Sequence, residues 1–191
     1  SLVSALAVAL LAAAIMASVP VLVFVVEVLL ALLPSRAGIV EGERRPLAVL
    51  VPAHDEEVVI GAALATLVTQ LANGDRLVVI ADNCTDGTAA IARAAGAEVV
   101  ERTDPARRGK GYALDFGIRH FASAPPEVVV VVDADCFLEP GAIDRLARQA
   151  IRDARPVQAL YLMRAPYGAS VKTRIAEFAW LIKNHVRPLG L

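Results

Sequence analysis

The stretch E-V-V-V-V-V-D-A-D, from Glu127 to Asp135, joins an apolar β-branched run to two carboxylates spaced two residues apart. An unbroken run of this kind predicts a strand buried on both faces, as in the middle of a parallel sheet. Asp133 and Asp135 follow where the strand is expected to end, and open α/β sheets bind ligands at the carboxyl ends of their strands. Two carboxylates so spaced on an extended backbone point the same way and can share one hard cation. The alternative is a strand followed by a solvated acidic turn.

The N-terminal residues 1–33 predict one transmembrane helix. From Leu2 to Leu33 the only ionisable side chain is Glu27, and the apolar stretch before it exceeds the roughly 20 residues that cross a hydrocarbon core. A cleaved signal peptide fits less well, because no basic segment precedes the stretch and it is too long. A buried core helix is disfavoured by the same length. Arg36, Arg44 and Arg45 follow the stretch, so the positive-inside rule predicts that the remaining residues are cytoplasmic. The expected location is the inner or plasma membrane.

The composition excludes several classes of protein. The 191 residues carry a formal net charge of -1, and 57% of them are hydrophobic. This charge gives no basic field for nucleic acid, so no nucleic-acid partner is expected. The two cysteines, Cys84 and Cys136, have no metal-type spacing, which fits a reducing compartment and predicts neither a disulfide scaffold nor a zinc site.

Strands alternate with helices after a polar linker at residues 34–45, which predicts βαβ units and a mainly parallel sheet in one domain from residue 46 to 191. The predicted strands are 47–51, 77–81, 98–101, 128–133 and 157–162, and the predicted helices are 57–71, 86–95, 111–121 and 140–153. Residues 173–191 mix apolar and basic side chains, which predicts either an amphipathic helix on a membrane surface or a core-facing helix of the domain. No closing strand or cap precedes Leu191, so the domain is expected to be incomplete at its C-terminus.

Four polar clusters follow or connect these elements. They are V-P-A-H-D-E-E (51–57), A-D-N-C-T-D-G-T (81–88), R-R-G-K-G (107–111) and D-A-D (133–135). The loops after the first, second and fourth strands should open at the same edge of a parallel sheet, where their side chains can converge. Taken alone, Asp82 and Asp86 also fit an Asx turn and a helix N-cap, and Lys110 also fits plain solvated charge.

The four clusters, in this order, resemble the motifs of the family 2 glycosyltransferases, whose usual forms are VPAYNEE, VDDGSTDGT, GGKAxAL and VDAD. The resemblance covers about residues 46–164, and the helix before it is similar to the membrane-bound branch that includes cellulose-synthase-like and hyaluronan-synthase-like enzymes. It implies a GT-A fold, a Rossmann-like α/β arrangement. It also implies metal-dependent, inverting transfer of a sugar from a nucleotide diphosphate donor, with a UDP-sugar favoured, to a polysaccharide, glycan or lipid acceptor.

The resemblance implies roles for individual side chains. Asp82 matches the aspartate that contacts the nucleotide base, and Lys110 matches the lysine that reaches the diphosphate. Asp133 and Asp135 match the pair that holds Mg²⁺ or Mn²⁺, with Asp135 favoured as the direct ligand. In all, the residues implied in nucleotide-sugar binding are Pro52, His54, Glu56, Asp82, Lys110 and Asp133. This chain departs from the usual pattern at His54, which replaces Tyr and puts stacking on the base in question, and at Asp55, which replaces Asn.

The family's catalytic base lies in an ED-type motif well beyond the metal pair, and its processive members add a QxxRW motif further on. Neither motif occurs before Leu191, so we expect this chain to carry the donor half of an active site, with the base beyond Leu191. A non-catalytic nucleotide-sugar-binding membrane subunit is one alternative, and it would keep Asp82 and the D-x-D pair. A nucleotidyltransferase is another, but it should show a Gly-rich phosphate loop near the start of the domain, which this sequence lacks.

Overall fold

The computed structural model describes residues 2–33 and 42–189. Their contacts divide the chain into an α/β unit, residues 40–159, and a helical unit that joins residues 1–39 to residues 160–191. This division differs from the predicted domain of residues 46–191, because the segment from residue 160 onward groups with the N-terminal helix. Most of the predicted linker, residues 34–41, lies outside the described residues.

The α/β unit contains a parallel sheet of four strands among the described residues. They are β1 (Leu47–Ala53), β2 (Arg76–Asp82), β3 (Glu98–Arg102) and β4 (Val128–Val131). Their order in the sheet is β3-β2-β1-β4, and all three neighbouring pairs are parallel. The predicted parallel sheet is therefore confirmed, and each connection between consecutive strands carries a helix, as parallel pairing requires.

Helices cover both faces of this sheet. On one face lie α2 (Ile60–Val68), α3 (Thr88–Ala94) and α5 (Ala142–Asp153), which bury Ile60, Leu64, Ala92 and Ile143 in one cluster. On the other face, α4 (Lys110–His120) packs on Leu50 and Ile80 of the two central strands. Gly117 lets α4 approach closely, because a Cβ at this position would lie 2.5 Å from Leu50 Cδ1.

The valine run forms a strand at the edge of the described sheet, and the prediction of a central, fully buried strand was wrong. β4 pairs with residues 47–50 of β1, and no other described strand pairs with it. Val131 is 47% exposed, whereas Val49 of β1 and Val79 of β2 are completely buried. A run of β-branched residues indicates that a segment is extended, but neighbouring strands decide whether it is central.

The predicted strand at residues 157–162 is also wrong. Ala154 ends α5 in the left-handed conformation, with φ at 47°, and residues 155–170 contain neither strand nor helix. Leu160 and Tyr161 are 52% and 43% exposed. A short apolar run predicts a strand only when a sheet edge is available to bury it, and residues 160–162 of this run group with the other unit.

The helical unit begins with α1 (Leu2–Ala31), which has the length expected of a membrane span. Thirty residues at about 1.5 Å each give about 45 Å, more than the roughly 30 Å of a hydrocarbon core. Apolar side chains such as Leu10 and Ile15 are 62% and 57% exposed. Among the described residues α1 is the one helix long and apolar enough to be a candidate for crossing a membrane.

The C-terminal helix of this unit is α6 (Val171–Leu181), which continues through a π-helical turn (Ile182–Val186) into the short α7 (Arg187–Leu189). Ser170 caps α6 by accepting a hydrogen bond from the Thr173 backbone N–H at 3.2 Å. Ile175 and Phe178 are each 63% exposed, which contradicts the alternative of a core-facing helix.

An ion pair joins the two ends of the helical unit. Glu27, the single charged residue of α1, is only 6% exposed. Arg187 donates to its two carboxylate oxygens, from Nε at 2.6 Å and from Nη2 at 3.1 Å. This fork-shaped contact neutralises the carboxylate, as an ionisable group in an apolar stretch requires.

Candidate functional site

The strand order reverses at β1, which lies between β2 on one side and β4 on the other. In open α/β sheets the ligand crevice lies outside the carboxyl ends of the strands at such a switch point. The Val132 N–H donates to Leu50 O at 3.1 Å, which extends the pairing of the valine run by one residue. The loop after β1 and the D-x-D turn therefore flank the position where a ligand is expected.

The D-x-D pair lies in a tight turn directly after this pairing ends. The Cys136 N–H donates to Asp133 O at 3.0 Å and closes the turn. Ligand atoms of Asp133, Asp135 and Cys136 all lie within 4.8 Å of one another. The turn replaces the last residues of the predicted strand, yet the two carboxylates stay close enough to share one cation of the kind that prefers oxygen ligands.

Lys110 contacts the first of these carboxylates. It is the first residue of α4 and follows Gly109, whose φ of 110° lies in the region that favours glycine. Its ammonium forms a direct ion pair with the Asp133 carboxylate, and the two side chains are 54% and 44% exposed. A pair this exposed contributes about 0–1 kcal/mol, so either partner can leave it for another ligand at little cost.

Asp82 has very different surroundings, because its carboxylate is buried in an ion pair with Arg102. Arg102 Nη1 lies 2.5 Å from Asp82 Oδ1, and the two side chains are only 9% and 6% exposed. Arg102 also donates to Arg107 O at 2.9 Å and to Asp104 at 3.1 Å. The two residues face each other in the β2–β3 register. Asp82 is therefore held by the neighbouring strand and does not form the Asx turn that its sequence position also allowed.

Asp86, and not Asp82, forms the Asx turn in this loop. Its Oδ1 accepts from the Thr88 N–H at 3.0 Å, and its Oδ2 accepts from the Glu57 N–H at 3.0 Å. Partial burial opposes ionisation of Asp86, but these hydrogen bonds outweigh it and hold its pKa below the usual value. Thr88, fully buried, accepts from the Glu56 N–H at 2.7 Å. These contacts join the loops after β1 and β2.

The remaining residues implied in nucleotide-sugar binding lie along β1 and its loop. Pro52 is half-buried beside Ile80 of β2, and Glu56 is half-buried at the end of the loop. His54 Nδ1 lies 2.7 Å from the Asp82 backbone oxygen, with its side chain 58% exposed. The structure thus places His54 beside Asp82 and Lys110 beside Asp133, and the roles of these residues in nucleotide-sugar binding stay predictions.

Sequence reasoning missed Arg102 and Asn83. Asn83 has φ at 53°, its N–H donates to Arg102 O at 2.7 Å, and its side-chain oxygen accepts from the Asp104 N–H at 2.7 Å. Asn tolerates this left-handed conformation better than most residues. The available signal was an isolated arginine just after the predicted β3, but its partner is known only once the β2–β3 register is known.

A cavity of about 350 Å³ lies beside the buried pair, between the end of β3 and α4. The Arg102 guanidinium lies 5.8 Å from the centre of the Tyr112 ring. Arg102, Asp104, Arg107, Tyr112, Asp115 and Phe116 are among the residues that line it. An aromatic ring and several polar groups thus lie around Arg102, the ion-pair partner of the residue expected to contact a nucleotide base.

One curated relative is the 4,4'-diaponeurosporenoate glycosyltransferase of Staphylococcus aureus strain USA300. It is 36% identical over 109 residues, which are 55% of this chain and 28% of the relative. The same enzyme from other Staphylococcus aureus strains matches equally well, for instance that of strain NCTC 8325. The chain therefore spans just over a quarter of the length of the curated relatives it matches.

Two solved structures illustrate the similarity, and the first of them shows the same fold. A mannosyltransferase from Pyrobaculum calidifontis, in complex with GDP-Man and Mn²⁺, has a TM-score of 0.61 and 26% identity, over 86% of this chain and 48% of that one. Glucosyl-3-phosphoglycerate synthase from Mycobacterium tuberculosis, in complex with Mn²⁺, UDP and phosphoglyceric acid, has a TM-score of 0.45 and 29% identity, over 53% and 37%. The former confirms the GT-A-like α/β fold of the described residues.

The family model of glycosyl transferase family 2 matches residues 48–180, more than half of the chain. This range contains all four polar clusters and the parallel sheet except Leu47, the first residue of β1. The chain belongs to glycosyl transferase family 2.

Proposed function

We propose that this chain is the donor-binding part of a membrane-anchored glycosyltransferase, which moves a sugar from a nucleotide diphosphate donor to a polysaccharide, glycan or lipid with inversion. The observation that carries the proposal is the turn of Asp133 and Asp135 at the switch point of the sheet, with Lys110 in contact with it. Family membership supports the reaction class. The apolar α1 supports placement in the membrane-bound branch of the family.

The residues of the D-x-D turn fit Mg²⁺ or Mn²⁺, because hard divalent cations prefer carboxylate oxygens. When bound, such a cation supplies positive charge that offsets the negative charge of the departing diphosphate. Lys110 adds to this effect by moving its ammonium from Asp133 to a phosphate oxygen. Mn²⁺ in the complex of the Pyrobaculum calidifontis mannosyltransferase supports the assignment.

Asp82 is proposed to contact the nucleotide base. Its carboxylate oxygens can accept hydrogen bonds, and the ion pair with Arg102 holds the carboxylate in place. Asp82 should therefore select a base that presents an N–H group, such as uracil or guanine. His54, Pro52 and Glu56 frame the base and ribose in this proposal, with the exposed His54 ring covering the base.

Isothermal titration of the 191-residue chain in detergent with UDP and with GDP, each with Mn²⁺, tests the donor site. The variant Asp135→Asn should lose manganese-dependent nucleotide binding. Glu127→Gln is the matched control, because Glu127 is a carboxylate at the opposite end of the same strand, where it pairs with Arg45. Unchanged affinity for both nucleotides in Asp135→Asn would contradict the metal assignment, and equal loss in both variants would indicate a fold defect.

Membrane anchorage by α1 and a cytoplasmic position of the α/β unit form part of the same proposal. Labelling tests them with Glu43→Cys, an exposed position just before β1, in a chain whose Cys84 and Cys136 are replaced by serine. A membrane-impermeant maleimide should react only after the inner face of the membrane is opened. Labelling in intact cells would reverse the proposed topology.

A further inference from the structure

We propose that His54, Asp55 and Cys84 form a second metal site, separate from the Asp133–Asp135 pair, which takes a borderline-soft divalent transition metal such as Zn²⁺. Ligand atoms of the three residues lie within 4.8 Å of one another. They come from two loops, after β1 and after β2. This explains why the spacing of the cysteines predicted no zinc site, since the three ligands meet only when the parallel strands pair.

His54 is oriented as a metal-binding imidazole is. Its Nδ1 lies 2.7 Å from the Asp82 backbone oxygen. A carbonyl oxygen can only accept, so Nδ1 carries the hydrogen of the neutral ring and Nε2 keeps a free electron pair. A backbone carbonyl that fixes the tautomer in this way is the usual outer partner of a metal-bound histidine. Nε2 lies 3.8 Å from Asp55 Oδ2, so both atoms can approach one ion.

The other two ligands are also held by main-chain groups. Asp55 Oδ1 accepts from the Thr85 N–H at 2.6 Å, which fixes the carboxylate while its second oxygen faces His54. The Cys84 thiol donates to Ala53 O at 3.5 Å. His54 and Asp55 are thus oriented by contacts outside the cluster that metal binding can leave intact. Cys84 would exchange its hydrogen bond to Ala53 O for the metal.

The ligand chemistry separates this cluster from the D-x-D turn. Imidazole, carboxylate and thiolate suit Zn²⁺, and three protein ligands leave a fourth position for water or a substrate group. A thiol that coordinates the metal is deprotonated, and its proton is released to the solvent. Carboxylate oxygens at Asp133 and Asp135 suit Mg²⁺ or Mn²⁺. The chain would therefore bind Zn²⁺ at one site and Mg²⁺ or Mn²⁺ at the other, both at the same edge of its sheet.

A metal at this second site should oppose donor binding, an inference that rests on the proposed function. His54 would have to leave the nucleotide base to coordinate the metal. Zn²⁺ and the nucleotide would thus compete for one side chain, and zinc would act as an inhibitor that Mn²⁺ at Asp133 and Asp135 does not relieve.

Titration of the whole chain with Co²⁺ alone, in place of Zn²⁺, tests the site directly, because a cobalt–thiolate bond gives an intense near-ultraviolet band. We expect the band in the wild-type chain, and its loss in Cys84→Ser. Cys136→Ser is the matched control, because Cys136 is the other cysteine and belongs to the D-x-D cluster. It should keep the band, and added Zn²⁺ should abolish the band by displacement.

His54→Gln gives a second variant, which should weaken cobalt binding at least tenfold while circular dichroism stays that of the wild-type chain. A band that survives Cys84→Ser and disappears in Cys136→Ser would overturn the proposal, as would the absence of any band in the wild-type chain. Competition is measured separately as the effect of Zn²⁺ on UDP affinity with Mn²⁺ present. If the chain binds no nucleotide, the proposed function fails while the cobalt band still reports on this site.

Discussion

Asp82 and Asp133 both lie at the carboxyl edge of one parallel sheet, yet the ion pair of Asp82 is buried and that of Asp133 is exposed to solvent. Asp82 is buried against Arg102, with side chains 6% and 9% exposed. Asp133 pairs with Lys110, with side chains 44% and 54% exposed. The same residue type thus forms the same kind of ion pair in two different dielectric surroundings.

The comparison indicates what each aspartate can do. A buried pair cannot exchange partners without leaving a charge uncompensated, so Asp82 is a fixed hydrogen-bond acceptor. An exposed pair exchanges partners easily, so Asp133 can release Lys110 and take a cation. A site that recognises a nucleotide base and binds a metal needs one fixed hydrogen-bond acceptor and one carboxylate that can exchange its partner.

The largest effect on stability should come from breaking the buried ion pair of Asp82 and Arg102. Arg102→Met leaves Asp82 buried without its cation, and loss of one partner of a buried pair costs about 3–5 kcal/mol in the free energy of unfolding. Urea denaturation followed by circular dichroism measures this. Arg119→Met is the control, because Arg119 pairs with Asp115 on the exposed surface of α4 and should change stability by less than about 1 kcal/mol. Equal effects of the two variants would contradict the comparison.

Gly117→Ala should have the next largest effect, because it forces α4, which carries Lys110, away from Leu50 and Ile80. The new Cβ would lie 2.5 Å from Leu50 Cδ1, and overpacking of this kind costs about 1–3 kcal/mol. Gly111→Ala in the same helix meets nothing within 4 Å and should gain about 0.5–1 kcal/mol from helix propensity. Denaturation midpoints that shift in the same direction for both variants would rule out the packing explanation.

A third aspartate, Asp75, whose side chain is completely buried, extends the comparison to the pH dependence of stability. Burial would raise its pKa, but Arg44 and the backbone N–H groups of Ala72 and Leu47 outweigh burial and lower it. Because the pKa of Asp75 is lower in the folded state than in the unfolded state, its ionised carboxylate stabilises the fold above the unfolded-state pKa of about 3.9. This stabilisation is lost as the pH falls further. Asp75→Asn should lose on the order of 1.5 kcal/mol at neutral pH. Its stability should then depend less on pH below about 4 than that of the wild-type chain, and parallel curves would refute this role.

The smallest effect on stability should come from a substitution in the exposed D-x-D turn. Asp135→Asn, without metal, should change the free energy of unfolding by no more than about 0.5 kcal/mol, because Asp135 is exposed. With Mn²⁺ and UDP at about 100 times their dissociation constant, the wild-type chain should gain about 2.7 kcal/mol and the variant should gain nothing. A destabilised apo variant would show that the turn is structural.

The sequence was sufficient where local pattern and chain order carry the information. The strands at 47–51 and 77–81 and the loops that follow them were predicted because alternating βαβ units leave few topologies. The position of Asp133 at the edge where the loops after β1 and β2 also open followed from the parallel sheet. The place of Lys110 in the site was implied by the resemblance alone, and its role stays a prediction.

The sequence was insufficient where partners are distant. Val128–Val131 has the composition of a central strand, but its exposure depends on which strands pair with it. Arg102 meets Asp82 through a register between two strands, and no local pattern encodes a register. The run at 157–162 was predicted as a strand, but the boundary between the two units falls within it, between residues 159 and 160.

Glu27 and Arg187 are synthesised at very different times. They are 160 residues apart, which at about 5–20 residues per second is an interval of about 8–32 s. If α1 enters a membrane as proposed, Glu27 spends that interval without the guanidinium that later neutralises it. Insertion must then be driven by the leucine, valine and alanine side chains of α1 alone. The ion pair therefore forms only after α1 is in the membrane, and it stabilises a helix that is already inserted. Arg187→Met should leave insertion of α1 unchanged.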